Sequence, residues 1–314
     1  MSTALIEVPQ ADIVVGQLRI YQARTVMTLS DVARAVGLAP RTLMRFACGR
    51  DYGNGSGEAV AERVAAFMAA NPAPLPIKPG RLYENSTTRL IDALILHCKH
   101  GGWGTLYGPA GSQKSFCLEY RAAEAAALIE PDLVLIQGEA RMTPRTLLGR
   151  IAQGLGAGYA QSAEGIRQGI FAAVRRRKTH VAIAIDEAQL LYHSLDTLET
   201  LRRLADQLPT TAGRTGVGIL VAGNERILRL FEVRHSNYFE QWRSRIGQKQ
   251  VKAVRPVREQ AREMIVGELG RIPESAIARA LDDSTAADPI HGREYINLRT
   301  LFQIIEFARR RMEN

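Results

Sequence analysis

The chain has 314 residues, 46% of them hydrophobic and 23% charged, a balance that excludes a disordered polymer and provides for two or three compact units. An excess of 41 Lys and Arg over 32 Asp and Glu leaves a formal charge of +9, which suits a polyanionic partner without requiring one. Cys48, Cys98 and Cys117 are dispersed without metal-ligand spacing, no apolar run approaches the ~20 residues of a membrane span, and MSTALIEVPQ lacks a signal segment, so the expected setting is a reducing cytoplasm.

From the N-terminus, residues 18–25, 29–36 and 39–48 read as short amphipathic helices. Residues 53–57 read as a flexible break and 58–70 as a last helix, giving an all-helical domain over 1–71. Within LSDVARAVGLAPRTLMRFACG, Ser30 is expected to cap a helix through Val36, and Gly37 to take the left-handed turn. A second helix follows Pro40, with Leu43 and Phe46 inward and Ala33 where the helices touch. The pattern resembles the helix-turn-helix of phage repressors, which implies double-stranded DNA as partner, with Arg41, Thr42 and Arg45 facing the major groove. A helical protein-interaction domain is the alternative.

Closely spaced prolines in NPAPLPIKPG forbid a helix and mark a linker over 72–80. In the next segment, 81–254, short apolar runs at 104–107, 133–137, 180–185 and 217–222 alternate with helical stretches such as 114–128 and 146–155. That alternation predicts an α/β fold, a parallel sheet with helices on both faces. Past residue 258 the β signal disappears, leaving helices near 259–269, 273–281 and 297–311 in a C-terminal helical unit, 255–314.

GTLYGPAGSQKSF runs from a strand through a Gly-rich turn into a helix, the context of a phosphate loop. The candidate nucleotide contacts are Gly108, Pro109, Ala110, Gly111, Ser112, Gln113, Lys114, Ser115 and Phe116. Backbone N–H groups would cradle the β-phosphate of ATP, Lys114 would reach the β- and γ-phosphates, and the Ser115 hydroxyl would ligate Mg2+. Gln113 stands where such loops usually carry glycine, so its side chain has to point away from the nucleotide. HVAIAIDEAQLL is a buried run ending in two carboxylates: Asp186 for magnesium, through water, and Glu187 to orient and deprotonate the attacking water.

GVGILVAGNERIL adds a strand ending at Asn224, and here the sequence resembles the AAA+ ATPase family. The resemblance implies an AAA+ core and C-terminal lid, ATP hydrolysis, which Gln113 in the phosphate loop is expected to make slow, a polar sensor at Asn224, and an arginine finger in FEQWRSRIGQ. Arg243 and Arg245 are the finger candidates, Arg245 being preferred. It further implies a homo-oligomer and a second sensor at Arg299 in INLRTLF. The N-terminal module joined to a short core resembles the phage Mu B family of transposon helper ATPases, which implies assembly on DNA and target delivery to a transposase, in a bacterial or phage-infected cell. For DNA contacts in the core, EARMTPRTLLGRI offers Arg141, Thr143 and Arg145, while the run 175–178 reads first as solvated surface. A regulatory switch in secretion or transcription, its helical unit binding a protein or an operator, is the other reading.

Overall fold

The computed structural model describes residues 10–25, 27–48, 57–72, 80–128, 130–157, 160, 162–211, 215–228, 242, 244–245, 247–287 and 294–313. The N-terminal unit comprises α1 (Gln10–Thr25), α2 (Leu29–Ala35), α3 (Pro40–Ala47) and α4 (Gly57–Ala70). Its first helix begins well before residue 18. The cap of α2 is Thr28 rather than Ser30, because only at Thr28 does an acidic residue three positions on, Asp31, return a bond to the cap amide, at 2.9 Å. Gly37 takes φ 66°, and the Leu38 amide closes the turn onto Ala33 O at 2.8 Å. Leu18, Val32, Leu43, Phe46 and Val64 are buried together beneath these helices. Most of the linker, 73–79, lies outside the described residues.

The core opens with α5 (Ser86–Lys99) and continues through β1 (Trp103–Tyr107), α6 (Lys114–Ala126), β2 (Leu133–Gln137), α7 (Pro144–Leu155), α8 (Ala163–Arg175), β3 (Val181–Asp186), a 3₁₀ turn (Ala188–His193), α9 (Leu195–Gln207), β4 (Val217–Gly223) and β5 (Lys249–Lys252). The five strands form one parallel sheet in the order β2-β3-β4-β1-β5. β3 is buried on both faces: Val181, Ile183 and Ile185 meet α7, α8 and α9, whereas Ala182 and Ala184 admit α5 and α6. Fully burying each large side chain stabilises the fold by roughly 1.5–3 kcal/mol. Because all strands run the same way, the ends of β1, β3 and β4 meet at one edge.

Arg19 of α1 joins the N-terminal unit to this core, donating to Gly156 O beyond α7 at 3.1 Å and to the Ala47 carbonyl. The run 175–178 is not uniformly solvated. Arg177 is 8% exposed and donates to the carbonyls of Leu155, at 2.9 Å, and Pro131.

The C-terminal unit packs α10 (Arg258–Leu269), α11 (Glu274–Ser284) and α12 (Leu298–Glu313) around Met264, Ile265, Leu281 and Leu301. It is not wholly helical, since β6 (Thr285–Ala287) pairs antiparallel with β7 (Glu294–Ile296). Among the described residues no helix is long and apolar enough to cross a membrane.

Candidate functional site

β1 runs directly into the Gly-rich turn. Residue 108 has to be glycine: it adopts φ 153°, and a Cβ there would lie 2.3 Å from Ala253 O, on the chain leaving β5. Gly111, at φ 78°, and Gln113, at φ 63° and ψ 9°, supply two left-handed steps before α6 begins. For Gln113 that conformation costs about 1–2 kcal/mol. Its side chain leaves the loop as expected, accepting at Oε1 from Asn85 Nδ2 at 2.7 Å and placing Nε2 3.9 Å from Met264 Sδ. Cys117 is buried behind the loop, and burial pushes its thiol up to about 12.

Lys114 is buried, and its ammonium donates to Gly108 O at 2.9 Å, Pro109 O at 2.8 Å and Ser112 Oγ at 3.1 Å. Burial pulls its pKa below the usual lysine value; Asp186 and Glu187 oppose that shift, and the like charge of Arg255 adds to it.

At the end of β3, Asp186 is 1% exposed. Its Oδ1 accepts from the Glu187 amide at 2.9 Å, while Oδ2 is buried without a hydrogen-bond partner among the described residues. An orphaned carboxylate oxygen is costly to bury, and it and the Ser115 hydroxyl are both hard oxygen donors, the chemistry that magnesium takes. Glu187 adopts φ 50°, an uncommon left-handed conformation for a non-glycine residue, and its Oε2 accepts from Gln189 Nε2. The same carboxamide packs against β4, where a Cβ on Gly223 would lie 2.0 Å from Gln189 Oε1. Asn224 follows, exposed, with Oδ1 accepting from the Arg226 amide at 2.9 Å. The edge thus brings together the Gly108–Ser115 loop, Asp186, Glu187 and Asn224.

Other expected residues fall elsewhere. Arg243 lies outside the described residues. Arg245, the preferred finger, is anchored within its own subunit: it pairs with Asp206 at 2.8 Å and its guanidinium lies 5.5 Å from the Trp103 ring centroid, at the opposite edge of the sheet from the loop. It is therefore not a free cation. Arg299 is exposed in the first turn of α12, where its amide donates to Asn297 Oδ1 at 3.1 Å. Phe116 is half-buried beside Gly80.

Among the DNA candidates, Arg41, Arg45, Arg141 and Arg145 are exposed and make no ion pair among the described residues, and Thr42 is half-buried. Thr143 serves local structure, its hydroxyl accepting from the Thr146 amide at 3.1 Å as the cap of α7. Arg141 holds φ 65°, which a non-glycine residue adopts only when its surroundings enforce it. The root of that loop touches the nucleotide edge, since Gln137 is in register with Asp186 and the Gly138 amide donates to Asp186 O at 2.7 Å.

Sequence reasoning missed three residues. Gln189 and Asn85 contact Glu187 and Gln113, and Arg255 donates from Nε to Ala110 O at 3.0 Å. Gln189 was discoverable from its place two residues after Glu187. The contacts of Asn85 and Arg255 span 28 and 145 residues and leave no local signal.

Residues 96–231 match the family model described as AAA domain, a segment that holds the phosphate loop, Asp186, Glu187 and Asn224. No curated protein matches the sequence. Among solved structures the chain is similar to Cdc6p from Pyrobaculum aerophilum, at 17% identity, covering 70% of this chain and 59% of that one with TM-score 0.48. It is similar also to the ORC1 protein of Aeropyrum pernix in complex with DNA, at 19% identity, 74% and 62% coverage and TM-score 0.46. A third is AMPPCP-bound DnaA from Aquifex aeolicus, at 13% identity, 74% and 68% coverage and TM-score 0.45. The chain thus spans 59% and 62% of the length of the first two. Sheet order and family match define an AAA+ fold, with the phosphate loop and the β3 carboxylates inside the segment that the AAA domain model matches.

Proposed function

We propose that this protein is an ATP-gated DNA-binding switch that assembles as a homo-oligomer on double-stranded DNA, selects it as a target and delivers it to a transposase, with hydrolysis driving disassembly. The observation that carries the gating is the Gly138 amide bonded to Asp186 O, which roots the loop bearing Arg141 and Arg145 in the strand end that holds the nucleotide carboxylates.

In this reading the triphosphate lies along the amides of 110–116, and Lys114 exchanges its bonds to Gly108 O and Pro109 O for phosphate oxygens. Ser115 and Asp186 are the residues that would hold a magnesium ion, which supplies neutralisation of phosphate charge. Asn224 orients a water against the γ-phosphorus. Glu187 takes the water's proton as the new P–O bond forms and the bond to the bridging β–γ oxygen breaks, its electron pair leaving with the diphosphate. Gln189 donates to Glu187 Oε2 and has to release that oxygen before the carboxylate can take the water's proton, in keeping with slow turnover. Arg243 stays the candidate for a finger given to a neighbouring subunit.

The helices α2 and α3 are proposed as a DNA-reading helix-turn-helix, with Arg41 and Arg45 on its outer face. Met44 lies 54% exposed between them, which favours a second reading in which this face docks a protein. Anisotropy of labelled nonspecific duplex at low salt, with ATP, ADP or no nucleotide, together with electron microscopy, separates the two. Gain of affinity and assemblies with ATP alone is the expected result; nucleotide binding without any DNA binding would establish the protein-docking reading instead.

A further inference from the structure

The chain joining the sheet to the C-terminal unit passes over the phosphate loop. Beyond β5 the Ala253 amide donates to Tyr107 O at 2.7 Å, and Gly108 is pressed against Ala253 O. The Val254 amide bonds Thr87 Oγ1 at 3.4 Å and Pro256 is buried, so Arg255 stands on a backbone fixed from both sides.

Its guanidinium uses edge and face at once. The Nε edge donates to Ala110 O at 3.0 Å, while the face lies over the Tyr295 ring, 3.5 Å from the centroid. Ala110 belongs to the phosphate loop and Tyr295 to β7 of the C-terminal unit, so one side chain touches both parts. Two cations, Lys114 and Arg255, flank one loop, and their repulsion is relieved when a polyanion lies between them. Arg299, the residue that the resemblance assigns to sensing, is exposed on α12 with no side-chain partner among the described residues.

We propose that Arg255 is a nucleotide-sensing residue that pairs with the polyphosphate from the hinge and passes its presence to the C-terminal unit through Tyr295. This rests on the ATPase reading above and goes beyond it by assigning the sensing contact to the hinge instead of to α12. A planar cation held by its edge on a loop carbonyl can exchange that neutral acceptor for a phosphate oxygen by a small rotation, and the ring stacked on its face has to follow or be released. The charge acts on the nucleotide and the stack acts on the lid, so the two halves are separable by substitution.

The test uses the full chain. Affinities for ADP and a non-hydrolysable ATP analogue are measured by calorimetry for the wild type, Arg255→Ala, Arg255→Lys, Tyr295→Leu and Lys114→Ala, and hydrogen exchange of 258–287 and 294–313 is followed with and without the analogue. Arg255→Ala is expected to weaken the triphosphate roughly tenfold more than the diphosphate. Arg255→Lys, which guards against a folding defect in the alanine variant, keeps the charge and is expected to hold the triphosphate preference within about threefold of wild type. Tyr295→Leu, which removes only the ring stacked on the guanidinium face, should change both affinities alike and by less than about fivefold, but abolish the analogue-dependent slowing of exchange. Equal loss of both nucleotides in Arg255→Ala, or an unchanged ratio, overturns the sensing role; an intact exchange response in Tyr295→Leu overturns the coupling. Wild-type binding of both nucleotides by Lys114→Ala would instead sink the ATPase reading on which the proposal stands.

Discussion

The nucleotide edge of the sheet and the arginine-bearing surfaces handle charge in opposite ways. At the edge, Lys114 is buried and holds three oxygen acceptors, Glu187 is clasped by Gln189, and Gly108 fits against Ala253 with no room for a side chain. On α3 and in the β2–α7 loop, Arg41, Arg45, Arg141 and Arg145 are solvated and without an ion pair among the described residues. Some other arginines are tied up, Arg121 pairing with Asp92 at 2.7 Å and Arg150 with Glu139 at 2.6 Å. The contrast separates two kinds of recognition. A buried, preorganised site recognises a small anion by shape and loses most of its affinity when one group is removed. Dispersed solvated cations recognise a polymer through counterion release, and each contributes a similar, salt-dependent increment.

Lys114→Ala should therefore produce the largest effect, a loss of ATP affinity of roughly 100-fold or more, since a buried charge-assisted contact disappears. Calorimetry measures it, and a loss below fivefold would break the distinction between the two regions. In the DNA assay the same variant should keep its nucleotide-independent binding at low salt. Glu187→Gln comes next: hydrolysis should fall roughly 10²–10⁴-fold while ATP binding and assembly persist. Single-turnover phosphate release checks the first part, and parallel loss of binding would show Glu187 to be structural.

The same contrast governs what can be read from the sequence. The loop and β3 were legible because glycine spacing and an uninterrupted β-branched run are local signals. β5, KQVK, was not, since it is a four-residue edge strand in which Val251 alone is buried. β6 and β7 are three residues each and hold together through pairing across a gap in sequence. Charged residues mislead most: Arg177, in a basic run, is buried on two carbonyls, and Arg245 is an internal anchor on Asp206 and Trp103. Nothing local distinguishes such arginines from Arg141, which is exposed, because their partners come from distant segments.

For the solvated surfaces the expected effects are smaller and additive. Arg141→Ala with Arg145→Ala should lower DNA affinity on all sequences alike and reduce the slope of log affinity against log salt by about 2, one unit per lost phosphate contact. Titrations at four or five salt concentrations give the slope. If the slope is unchanged, the loop does not contact phosphates, and its left-handed Arg141 calls for another explanation. ATP binding should be unaffected, because neither side chain makes a hydrogen bond to the loop at 108–115 among the described residues.

The smallest effect is expected at Gln113, where the two regions' logic meets in one residue. Gln113→Gly removes a left-handed strain of about 1–2 kcal/mol. Against that gain stand the larger unfolded-state freedom of glycine, about 0.5–1 kcal/mol, and the lost bond to Asn85, about 0.5–1.5 kcal/mol. The sum lies within about 1.5 kcal/mol of zero, so denaturant unfolding should give a midpoint near that of the wild type. A destabilisation above about 3 kcal/mol would mean that the Asn85 and Met264 contacts carry far more than a half-buried hydrogen bond does. Basal turnover should rise by less than about tenfold, because the loop amides keep their places and the clasp of Gln189 on Glu187 is untouched. A rise of several orders of magnitude would instead identify Gln113 as the brake on hydrolysis, with the strained loop and not the clasped base setting the slow rate.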